Sequence, residues 1–134
     1  DVIVAHFSIY TIPENLKRTQ ALKNMYHVLK SGGLLIVCCP SQNYDPDKII
    51  EESCKLLVAK KSPLEAGIKR ILYYSFTKRL GLNFIQKQLK SGQWVTYTQE
   101  KLIEELRGAG FEIGYSEMVY AGGAYLMCAH KASG

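Results

Sequence analysis

Apolar and polar positions alternate along this chain in blocks that change period, and the changes mark the elements. Val2 to Phe7 is a short apolar run with β-branched residues, which predicts a strand buried on both faces. The chain turns near Pro13-Glu14-Asn15. Leu22, Met25, Tyr26 and Leu29 then recur at i, i+3, i+4 and i+7, one face of a helix, while Lys17, Arg18, Lys23, Asn24 and Lys30 read as facing away. Gly32-Gly33 closes the helix, and Leu34 to Cys39 follows as a second buried strand stopped by Pro40. Strand, helix, strand joined by short loops predicts a parallel pair with a right-handed crossover.

The far end reads as clearly. Thr98 is a helix N-cap, Leu102, Ile103 and Leu106 form an apolar stripe, and Gly108 with Gly110 ends the helix. Phe111 to Met118 predicts a strand, Ala121-Gly122-Gly123 a turn and Ala124 to His130 the return strand of a hairpin, with the last four residues frayed. Between the two ends lies a long helical insertion, residues 41–97. It opens on Asp45-Pro46, an N-cap followed by proline at the first helical position. Ile50, Cys54 and Leu57 line one helix. Leu64, Ile68, Leu72 and Phe76 line a second after Pro63, and Leu82, Ile85 and Leu89 a third.

The string Asp1-Val-Ile-Val-Ala-His-Phe-Ser-Ile-Tyr-Thr-Ile-Pro13, then Val28-Leu-Lys-Ser-Gly-Gly-Leu-Leu-Ile-Val37, resembles the fourth and fifth strands of class I S-adenosylmethionine-dependent methyltransferases. Ser31 stands where that family usually has proline. Tyr97 through Ile113, with its Ala-Gly-Phe, and the closing hairpin resemble the family's last helix and its sixth and seventh strands. The resemblance covers about 80 residues at the two ends, and the middle falls where the family places substrate lids. It implies an α/β fold: the C-terminal half of a Rossmann-like sheet, strand order 4-5-7-6 with the last strand antiparallel, in one partial domain, 1–134. The start at Asp1, directly before an apolar run, is read as a cut through a larger protein.

The resemblance implies the rest of the functional picture. The full-length protein is expected to be a methyltransferase acting on a small-molecule or lipid-like acceptor. The alternative is a non-catalytic, methyltransferase-like binding or scaffold subunit, and a weaker reading is a peripheral membrane module. Ligands of open α/β sheets sit beyond the carboxyl ends of the strands. Ala5, His6 and Phe7 are therefore expected beside the methionine part of the cofactor, and His6, whose imidazole can accept a proton, as the general base. Tyr10, Ser41, Gln42, Trp94 and Tyr97 are the expected substrate residues. Of the insertion's other aromatics, Tyr44, Tyr73, Tyr74, Phe76 and Phe84, core packing is expected for most. Neither Gly32-Gly33 nor Gly122-Gly123 has the spacing of a cofactor loop, so the chain alone is expected to bind S-adenosylmethionine weakly or not at all and to be inactive.

Charge sharpens one point. From Lys48 to Lys90 there are ten Lys or Arg against three Glu, a net of +7, whereas the rest of the chain carries −2, giving +5 in all. A basic helical lid suits an anionic substrate or a membrane surface. Nucleic acid is not expected, because the charges are scattered over several helices without a reading motif. Four cysteines without a C-x-x-C spacing read as free thiols in a reducing compartment, hence cytoplasmic, with no metal site. The opening lacks a basic leader and a cleavage site, and no run approaches the ~20 apolar residues of a membrane span. A first strand stripped of its upstream neighbour has an open edge, which predicts self-association or pairing with a missing N-terminal half.

Overall fold

Two apolar strands separated by one helix have a single compact solution, a parallel pair with the helix packed across one face. The computed structural model has it. It describes residues 1–60 and 78–134, with residues 64, 67, 68 and 76 of the stretch between. Strand β1 (Val2–His6) pairs in parallel with β2 (Leu34–Pro40), and helix α1 (Asn15–Val28) makes the crossover. Helix α2 (Pro46–Lys60), helix α3 (Asn83–Lys90) and helix α4 (Gln99–Gly108) follow, then the hairpin of β3 (Glu112–Val119) and β4 (Ala124–His130). The sheet runs β1-β2-β4-β3, and β4 is antiparallel to both neighbours. The fold is thus α/β on a four-stranded mixed sheet, and the last strand enters between β2 and β3 in the expected order.

One face of the sheet carries the core. Ala5, Leu35, Val37, Cys39, Met127 and Ala129 pack there against Leu22 of α1, Leu29 just past its end, and Leu102 and Leu106 of α4. The other face is partly open: Cys38 is buried on it, whereas Val2 and Val4 are exposed. Register places Val4, Ile36, Cys128 and Tyr115 side by side across all four strands, flanked by Val2 and Leu34. Val2 is 56% exposed and Val4 64%. A parallel pair normally hides both faces, because both are apolar.

The covered side is locked by a buried ion pair. Arg18 was read above as facing away; it lies one turn before Leu22 on the inner stripe and is 3% exposed. Its guanidinium donates to both carboxylate oxygens of Glu105 on α4, at 2.7 and 2.9 Å, and to the Ile12 and Pro13 carbonyls. Tyr97 donates its hydroxyl to the same carboxylate at 2.7 Å. A buried pair with every donor placed fixes one arrangement of α1 against α4.

The ends of the elements follow local chemistry. Asp45 Oδ1 caps α2 by accepting from the Asp47 and Lys48 amides, and Thr98 Oγ1 caps α4 from the Lys101 amide. Helix α1 stops at Val28, before the glycine pair. A side chain at Gly33 would stand 2.6 Å from Asp1 Oδ1, which accepts from the Lys30 amide. Lys131, placed above in a frayed tail, is anchored: its backbone pairs with Gly32 and Gly33, and its ammonium donates to the Tyr26 and Leu29 carbonyls at the end of α1. Pro63 and Leu72 lie outside the described residues, while Leu64, Ile68 and Phe76 are exposed and Leu89 is buried.

Replacing Arg18 by Met leaves the Glu105 carboxylate buried without its partner. We expect a loss of about 3–5 kcal/mol in unfolding free energy, measured by urea denaturation, with Tyr97→Phe costing about 1–2 kcal/mol.

Candidate functional site

Because β1 and β2 are parallel, their carboxyl ends open on the same edge, where ligands of such sheets bind. The β3–β4 turn arrives there too, since β4 starts opposite the end of β2, with Ala124 against Pro40. His6 ends β1 and is exposed, and its Nε2 lies 3.0 Å from the Tyr120 hydroxyl. Phe7 turns the chain away with φ of 49°, held by its amide's bond to the Cys38 carbonyl at 3.0 Å. The rings of His6, Phe7 and Tyr120 meet at centroid distances of 4.7, 5.5 and 6.1 Å. From Phe7 the contacts continue edge to face through Tyr10 (5.8 Å) and Trp94 (5.3 Å) to Phe84 (5.7 Å).

The turn bearing Tyr120 is itself under constraint. Tyr120 and Ala121 have φ of 54° and 55°, followed by Gly122 at 78°. Side chains rarely adopt that region, at a cost of roughly 1–2 kcal/mol per residue. Ser41 supplies the restraint: its Oγ donates to the Gly122 carbonyl at 2.7 Å and its amide to the Gly123 carbonyl at 2.8 Å.

The expected site residues therefore divide. His6, Phe7, Tyr10 and Trp94 come together in one aromatic wall. Ala5 lies beneath it, in the core. Ser41 is 1% exposed and holds the hairpin turn, so its hydroxyl is committed within the fold. Tyr97 is fully buried, with its hydroxyl on Glu105, and presents no surface to a substrate. Gln42 is exposed and lines a separate cavity of about 320 Å³ with Ser41, Tyr44, Gln86, Leu89, Lys90 and Thr96. The buried Tyr44 hydroxyl has no hydrogen-bond partner among the described residues. Phe76 and Phe84 are exposed where core packing was expected, and Tyr73 and Tyr74 lie outside the described residues.

Electrostatics follow burial. Tyr10 is 2% exposed, and its phenol is pushed up to about 12 by burial and by the neighbouring Cys39 and Cys38 thiols. Burial lifts Cys38 to about 11 and Cys39 further. Both stay thiols at neutral pH, which removes their nucleophilic form. Tyr120 is raised by burial and then by Cys38, so its phenol keeps its proton. Among the described residues no three His, Cys, Asp or Glu side chains gather as a metal site requires, and no helix is long and apolar enough to cross a membrane.

Tyr120 went unnoticed in the sequence because turn chemistry points to Gly122-Gly123 and ignores the residue before them. Arg18 was legible: it shares the helical stripe of Leu22 and Met25.

No known protein family's profile matches the chain, and no curated protein does. Its fold is similar to the crystal structure of a possible exported protein from Bordetella parapertussis, at 15% identity and a TM-score of 0.58. The match covers 98% of this chain and 39% of that one. At that identity the likeness shows the fold alone.

Removing the Ser41 hydroxyl takes away the side-chain donor to the half-buried Gly122 carbonyl. Ser41→Ala is expected to lower stability by about 1–3 kcal/mol and to speed amide exchange at Gly123, read by NMR.

Proposed function

We propose that this chain is the C-terminal half of a class I S-adenosylmethionine-dependent methyltransferase, working on a small or lipid-like acceptor. The observation that carries the reading is the strand order β1-β2-β4-β3 with β4 reversed. It is the 4-5-7-6 arrangement that the sequence resemblance implies. The exposure of Val2 and Val4 on the parallel pair supports the word half, since a second layer of helices would cover them.

The side chains at the strand ends fit the methionine end of that cofactor. The backbone of Ala5, His6 and Phe7 would run along it, and the Phe7 and Tyr120 rings suit a sulfonium, which aromatic faces attract. When bound, the cofactor supplies an electrophilic methyl group. The residues of this chain align the acceptor, exclude water and receive its proton. The nucleoside end has no counterpart among the described glycine turns. Gly32 and Gly122 serve tight turns, and the space above Gly33 is filled by Asp1. The chain alone is therefore a poor cofactor binder under this reading.

The acceptor side favours a lipid-like molecule. The basic stretch from Lys48 to Lys90 exposes large apolar side chains, among them Leu56, Leu64, Phe76, Leu80 and Phe84. Cationic and apolar groups together on helices suit an anionic interface. Four free cysteines support a reducing compartment, hence the cytoplasm.

Calorimetry with S-adenosylhomocysteine tests the reading. We expect no heat of binding from this chain and micromolar binding from a longer chain carrying the upstream strands. Binding by neither would favour the scaffold alternative, and tight binding by this chain alone would defeat the half-sheet reading.

A further inference from the structure

We propose that Tyr120 is a proton relay for His6, and that the methyl acceptor is accordingly a protic group, a hydroxyl or an amine that still holds its proton. This rests on the methyl-transfer reading above and deepens it.

The geometry gives three independent reasons. The Tyr120 hydroxyl stands 3.0 Å from His6 Nε2, a contact between residues 114 positions apart. Every non-glycine residue with positive φ among the described residues flanks that contact: Phe7 follows His6, and Tyr120 and Ala121 make the turn. Such conformations persist where surrounding structure over-determines them, and they gather at functional sites. The surrounding structure is visible. Ser41 clamps the turn through the Gly122 and Gly123 carbonyls, and the Gly123 amide closes it on the Tyr120 carbonyl at 2.9 Å. A hairpin needing only to reverse would carry Asn-Gly at such a turn without strain. This one instead spends strain to aim a phenol at an imidazole.

The direction of the bond follows from acidity. A phenol is a much stronger acid than a neutral imidazole N–H, and burial next to Cys38 keeps the Tyr120 proton in place. The hydroxyl therefore donates to Nε2, and the ring's own proton sits on Nδ1. The basic lone pair of His6 then faces the phenol, and a substrate proton reaches it through Tyr120. Tyr120 is 43% exposed at the strand-end edge, open to an incoming acceptor.

The step balances. The acceptor's X–H bond breaks, and its proton forms a new O–H bond on Tyr120. The former Tyr120 O–H bond breaks, and that proton forms an N–H bond on His6 Nε2. The acceptor keeps the electron pair, which would form the new bond to the methyl carbon of a bound sulfonium donor; the methyl–sulfur bond would break with its pair left on sulfur as a neutral thioether, and the positive charge lost there is balanced by the one gained on the imidazolium.

The test is the tautomer of His6, read from imidazole 15N shifts in this chain at a pH where the ring is neutral. His27→Gln and His130→Gln separate its signals from the other two histidines. We expect His6 in the Nδ1–H form in the wild type. Tyr120→Phe should move it to the Nε2–H form that predominates in free histidine, and Ser41→Ala, which keeps the phenol but frees the turn, should give a mixture. An Nε2–H tautomer in the wild type, or no shift in Tyr120→Phe, overturns the relay. No donor or acceptor takes part in this readout, so a failed cofactor titration and a failed tautomer test are told apart.

Discussion

Parallel pairing of β1 with β2 is the constraint on which the rest depends. Two parallel strands cannot be joined by a tight turn, so the chain must cross over a face of the sheet, and α1 makes that crossing. Parallel pairing also sends both carboxyl ends to one edge. The hairpin closes the same edge because β4 runs antiparallel to β2 and begins opposite its end. His6, Phe7, Tyr10, Ser41 and Tyr120 meet there for topological reasons, although they come from both ends of the sequence. The face that α1 and α4 cover is then fixed by the Arg18–Glu105 pair with Tyr97, and on the opposite face Val2 and Val4 are exposed.

That asymmetry connects stability with function. The exposed Val2 and Val4 are apolar surface on the parallel pair, of the kind that such pairs normally cover. The strand-end edge shows the same division. It has an aromatic wall, a histidine and a strained turn held by Ser41. Strain there is affordable because the turn is gripped by β2's continuation, not by its own sequence.

Much of this was legible beforehand, and the reasons differ by element. The strands, α1, the Asp45 and Thr98 caps and the closing hairpin are set by local period and capping chemistry, which the chain states plainly. The strand order came from resemblance, since no local pattern says that β4 inserts between β2 and β3. The site was harder. His6 and Phe7 sit where strand-end logic puts them, but Ser41 and Tyr97 look like pocket residues in sequence and serve as a turn clamp and an ion-pair ligand in the fold. Their roles depend on partners 81 and 8 residues away, Gly122 and Glu105. Arg18 was misplaced for another reason: charge suggested solvent, while its helical phase pointed inward and a buried carboxylate was waiting.

The most direct measurement is amide hydrogen exchange along β1. The Phe7 amide bonds to β2, so by alternation the Val4 and His6 amides point to the open edge. If this sheet is one half of a larger one, those two amides exchange quickly in this chain and become protected in a longer chain carrying the upstream strands. Equal exchange in both would mean that β1 is a true sheet edge, and the half-sheet account would be wrong.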